Sequence, residues 1–125
     1  MNVTTIEQSK KLLELGIKAE TADMWYINGE GNPHIGNWGE NQHDWDDIPA
    51  WSLSALLELM KNYPDCNKLD VFSNRSQKWS VTISYYDHVW KEHEEINMDL
   101  MKCAYNMVVW LLENGYIKTA CGKGE

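Results

Sequence analysis

Phenylalanine is almost missing from this chain: one residue in 125, against seven tryptophans and six tyrosines. A core short of phenylalanine is filled by aliphatic side chains and indoles, and each buried indole brings an N–H that needs an acceptor. Cysteine is scarce too. Cys66, Cys103 and Cys121 are odd in number and form no CxxC pair. That pattern argues against a disulfide framework or a structural zinc site and points to a reducing compartment. The longest apolar run, residues 107–112, is far too short to span a bilayer. The first residues enter a polar helical pattern without the basic and apolar segments of a secretory leader. The expectation is a cytoplasmic protein.

Positive charge is absent from one long stretch. Between Lys18 and Lys61 there is no Lys or Arg, whereas Glu20, Asp23, Glu30, Glu40, Asp44, Asp46, Asp47 and Glu58 all fall there. The flanking segments nearly cancel, so this one carries the chain's net charge of −8. Phosphate backbones are repelled by such a surface, and direct nucleic-acid binding is not expected. A cation or a basic protein patch remains compatible with it.

Helix and strand signals divide the rest. Thr4…Glu7 and Thr5…Gln8 are overlapping capping boxes ahead of Ile6, Leu12, Leu13 and Leu15, with Gly16 as a left-handed stop. Residues 24–27 have strand composition and end at Asn28-Gly29. Four glycines and Pro33 then make 28–47 a long acidic, Gly- and Trp-bearing loop with room for one short strand near 34–38. Pro49 blocks helix before it and Ser52 caps a helix carrying Leu53, Leu56, Leu57 and Met60, which Tyr63-Pro64-Asp65 ends. Residues 68–72 and 78–86 form a hairpin around 73–77; Trp79, Val81, Ile83 and Tyr85 share one face. Residues 87–97 read as a charged connection. The last helix, about 98–114, sets Met101, Ala104, Tyr105, Val108, Leu111 and Leu112 on one stripe, and Gly115 closes it with Tyr116 packed back on Leu111. Residues 119–125 read as a frayed tail. The implied architecture is a single α+β domain: a small antiparallel sheet of about three strands against three helices, in the order α-β-loop-α-β-β-α.

Three stretches carry a resemblance: SKKLLELG at 9–16, IPAWSLSALLEL at 48–59 and YNMVVWLLENGYI at 105–117. Together they resemble a family of small uncharacterised proteins of bacterial prophages and mobile genetic elements. The likeness covers most of the chain outside 28–47 and 87–97. It implies a cytoplasmic accessory role, exercised on host or element proteins, and implies no catalytic residue.

Chemistry has few footholds. Asp44-x-Asp46 opens like a calcium loop, but Ile48 and Pro49 stand where that loop needs an oxygen ligand and a glycine. HExxH, GxSxG and glycine-rich phosphate loops are absent, and Ser52 and Ser54 sit where serines cap helices. His88 and His93 fall in a charged surface turn. No cofactor, metal or catalytic residue is expected. Trp38 and Trp45 stand out instead, because they lie in the acidic loop beside Asp44, Asp46 and Asp47. These five are the candidate binding residues of a non-enzymatic protein that engages a basic protein partner through its 28–51 surface. The alternative reading is a metal- or small-molecule-binding protein, even a hydrolase, centred on His34, His43, Asp44, Asp46 and Asp47.

Overall fold

Both glycine helix stops form as complete Schellman motifs in the computed structural model, which describes residues 3–61, 66–73 and 77–117. In the first, Ile17 N–H donates to Leu12 C=O and Gly16 N–H to Leu13 C=O, with Gly16 at φ +101°. In the last, Tyr116 N–H donates to Leu111 C=O and Gly115 N–H to Leu112 C=O, with Gly115 at φ +74°. A side chain at either position would be strained, which is why glycine stands there.

The helices are α1 (Ile6–Glu14), α2 (Leu53–Lys61) and α3 (Leu100–Glu113). Of the two candidate boxes before α1, the Thr5–Gln8 box is the one used. Thr4 does something else. Its buried hydroxyl accepts the Trp51 N–H at 2.9 Å and shares a hydrogen bond of 2.7 Å with Ser9, while its carbonyl accepts the Tyr26 hydroxyl. One threonine thus ties the α1 start to the strand before α2. Ser52 caps α2 through Ala55 N–H and is itself held by both oxygens of Asp23. Asp99 caps α3 through Met101 N–H.

Strands β1 (Met24–Tyr26), β2 (His34–Ile35) and β3 (Ile48–Ala50) form one antiparallel sheet in the order β2-β1-β3. Pro49 is tolerated because β3 is an edge strand. Strands β4 (Cys66–Ser73), β5 (Trp79–Asp87) and β6 (Val89–Asn97) form a second antiparallel sheet with β5 in the centre. The α+β class and three helices stand, with two three-stranded sheets in place of one. Residues 87–97 are not a connection: β6 pairs with β5 along its whole length, from Asp87↔Val89 to Trp79↔Asn97. His88 turns the chain at φ +67° and His93 lies in the strand, so the two do not share a surface turn. The expected helix stop at 63–65, most of the 73–77 turn and the 119–125 tail lie outside the described residues.

The main core lies between α3, α2 and the inner face of β5. Trp51, Leu56, Met60, Val81, Ile83, Met107, Val108 and Leu111 are each fully or almost fully buried there. The buried Trp51 indole N–H finds the Thr21 hydroxyl at 2.9 Å, as burial of an indole requires. Cys103 is buried in α3, its thiol donating to Trp79 C=O, and burial pushes that thiol's pKa up. A smaller cluster of Val3, Met24, Tyr26 and Ala50 joins the first sheet to the α1 start. No helix among the described residues is long and apolar enough to cross a membrane.

Candidate functional site

The acidic loop is built around two histidines and two tryptophans. Trp25 and His34 are cross-strand partners on β1 and β2, with ring centroids 6.2 Å apart. The chain then passes close beneath the Trp25 ring at Gly36, where an added Cβ would meet Trp25 Cζ3 at 2.8 Å. Only a residue without a side chain fits that crossing, and its φ of +147° adds to the demand. A short 3₁₀ turn at Trp38–Glu40 follows, held by Trp38 N–H on Ala22 C=O. From it the Trp38 side chain packs against the main core.

His43 closes the structure. Its imidazole stacks on the Trp38 indole at 3.6 Å and 8° from parallel, and meets Trp25 edge-on at 5.0 Å. Its Nε2 lies 2.9 Å from Trp38 C=O, so that nitrogen carries the proton and donates. Its Nδ1 faces Asp47 Oδ2 at 3.4 Å, too long for a good hydrogen bond, and is buried with no hydrogen-bond partner among the described residues.

Asp47 is the clasp of the loop. Oδ1 accepts Asn28 N–H at 2.9 Å and Oδ2 accepts Asp44 N–H at 3.0 Å, so one carboxylate joins the two ends of 28–47. The Asn28 N–H, then the Asp44 N–H and the nearby imidazole, hold the Asp47 carboxyl below its ordinary pKa, against the opposing effect of partial desolvation. Asp44, Asp46 and Asp47 can bring one carboxylate oxygen each within 4.8 Å of the others. His34 and His43 stand outside that group of three.

The two candidate indoles part company here. Trp38 is a loop anchor, half-buried and covered by His43. Trp45 is 96% exposed and projects from the turn that Asp44 N–H and Asp47 close. It borders an open groove lined by Lys10, Asn28, Gly29, Asp46 and Ile48. An ordered turn therefore presents one large apolar ring to solvent between two carboxylates.

Sequence reasoning passed over a second aromatic group. His93 stacks on Trp110 at 3.8 Å and 6° and pairs with Glu95 at 2.6 Å; Tyr85 and Tyr116 pack around Trp110. On the outer face of the same sheet, Trp90 is 65% exposed beside Tyr86, next to a depression that includes Ser84, Lys91 and Glu92. No local signal marks either group, because Trp90, Glu92, Glu94 and Ile96 on one face and Lys91, His93, Glu95 and Asn97 on the other show no apolar–polar alternation. Searches against protein-family models, curated proteins and solved structures find no match for the chain.

Proposed function

We propose that this is a cytoplasmic accessory protein of a mobile element that acts without catalysis, by binding a basic protein partner through its 28–51 surface. The observation that carries the reading is Trp45, an almost fully exposed indole on a turn braced by three separate groups. Rigid aromatic side chains are the usual anchors of protein interfaces. Asp44 and Asp46 flank the ring within a stretch that lacks any Lys or Arg, and they outnumber the one cation at its groove, Lys10, among the described residues, so encounter with a basic patch is favoured. The mobile-element context rests on the resemblance of 9–16, 48–59 and 105–117. Trp38, by contrast, supports the surface from beneath.

The test is affinity capture from a bacterial lysate with wild type beside Trp45→Ala, followed by binding of each purified candidate. The reading requires a partner with a basic surface whose binding weakens in Trp45→Ala and falls with added salt. Identical partner lists for the two proteins, or none, would count against it.

A further inference from the structure

We propose that His43 Nδ1 and Asp47 Oδ2, together with the Asp44 and Asp46 carboxylates, bind one divalent first-row transition-metal ion of the zinc, cobalt or nickel type. The starting point is the buried Nδ1. The His43 side chain is only 8% exposed, and its Nε2 must be the protonated nitrogen because it faces the Trp38 carbonyl, which can only accept. In the neutral ring, Nδ1 is then a bare lone pair aimed at a carboxylate oxygen 3.4 Å away. Two lone pairs facing each other in a buried pocket repel, and no donor among the described residues sits between them. A cation at that point resolves the conflict, either a proton on Nδ1, whose charge is what would lower Asp47, or a metal ion between the two atoms.

The geometry suits one. Two ligands each about 2.1 Å from a metal and tetrahedrally disposed are about 3.4 Å apart. Asp47 Oδ1 and Oδ2 each accept one backbone N–H, and a carboxylate has about four acceptor positions, so Oδ2 keeps one for the ion. The Trp38 carbonyl orients the imidazole from its other nitrogen, the arrangement common for metal-bound histidines. Asp44 and Asp46 supply the further donors: one oxygen of each lies within 4.8 Å of one of Asp47, and because His43 stands outside that group, all four residues meet on one ion only when the exposed Asp44 and half-buried Asp46 side chains turn towards Nδ1. Gln42, His43, Asp44 and Asp47 line a depression open to solvent, which gives the ion a way in. An imidazole nitrogen with carboxylates selects first-row divalent ions over calcium, which prefers oxygen ligands alone. The ion braces the 43–47 turn. This inference does not depend on the partner-binding reading, because the Trp45 ring points into solvent.

The test uses the full chain, stripped with chelator and titrated calorimetrically with Zn²⁺, Ni²⁺ and Ca²⁺, with tryptophan fluorescence followed in parallel. One Zn²⁺ per chain should bind saturably, Ca²⁺ should bind at least about tenfold more weakly, and Ni²⁺ should quench the Trp38 and Trp25 emission. The Asp44→Asn/Asp46→Asn variant keeps His43, Asp47 and both backbone hydrogen bonds, so its metal-free melting temperature should match wild type. Its Zn²⁺ affinity should fall at least about tenfold, and His43→Gln should remove the preference for Zn²⁺ over Ca²⁺. Trp45→Ala should bind Zn²⁺ as wild type does, which separates failure here from failure of the partner reading. No saturable Zn²⁺ binding, undiminished binding by Asp44→Asn/Asp46→Asn, or Ca²⁺ bound as tightly as Zn²⁺ would overturn the proposal.

Discussion

The His43 imidazole lies flat on the Trp38 indole, 3.6 Å ring to ring, and hydrogen-bonds the carbonyl of that same residue. This contact turns a glycine-rich segment into an ordered platform and decides which of two tryptophans is left facing water.

Substitution should separate those two residues. Trp38→Ala removes both the stack and the loop's grip on the core, and should cost about 2–4 kcal/mol, less than the 3–5 typical of a fully buried tryptophan. Trp45→Ala touches an exposed ring and should change stability by no more than about 0.5 kcal/mol. Chemical denaturation of the two variants beside wild type measures both. Equal losses would show that the indoles share one environment.

Acid should loosen the loop through Asp47. Its carboxyl is held below the ordinary value chiefly by the Asn28 N–H, so the folded state binds that proton less readily than the unfolded chain does. The stabilisation is therefore fully present above the usual carboxylate pKa and is lost as pH falls through the lowered one. Asp47→Asn should flatten that part of the stability–pH curve while destabilising the protein at pH 7. An unchanged acid slope in Asp47→Asn would remove Asp47 from its role as clasp.

Thr4→Val tests the junction between α1 and β3. The change keeps shape but leaves the buried Trp51 N–H without its acceptor, and Ser9 without its partner. A loss of about 1–3 kcal/mol is expected, against about 1 kcal/mol for Thr5→Ala, which removes only the helix cap. Melting curves rank the pair.

Tyr116 should titrate late. Desolvation, with the Asp87 carboxylate accepting its hydroxyl proton at 3.1 Å, pushes it up to about 12. The folded state thus holds this proton more firmly than the unfolded chain, so its contribution is intact below pH 10 and disappears as pH rises towards 12. Burial also pushes Tyr26 and Tyr105 up, so ultraviolet titration should show several delayed tyrosines, and Asp87→Asn should bring the Tyr116 step part of the way back.

The parts of this fold that could be read in advance are those written locally. Thr5, Gly16, Ser52 and Gly115 set helix ends through contacts within a turn, and the alternation of Val81, Ile83 and Tyr85 fixes the buried face of β5. Strand β6 was hidden because Lys91, Glu92, Glu94 and Glu95 give it the composition of a solvated connection. Its strand state comes from pairing with β5, with one face against Trp110 and the other in water, and such context overrides propensity. In the candidate site the acidic segment and its aromatic content were visible. The division between Trp38 and Trp45 was not, because it depends on His43 folding back onto the residue five before it and on Gly36 passing under Trp25.

The central claim is that Trp45 anchors a basic protein partner while Trp38 only supports the surface. Calorimetric titration of the captured partner against wild type and Trp45→Ala, at low and high salt, addresses it directly. The account predicts at least about a tenfold loss of affinity in Trp45→Ala, the size of an interface anchor, and weaker wild-type binding at high salt. Equal affinities for the two proteins would contradict it.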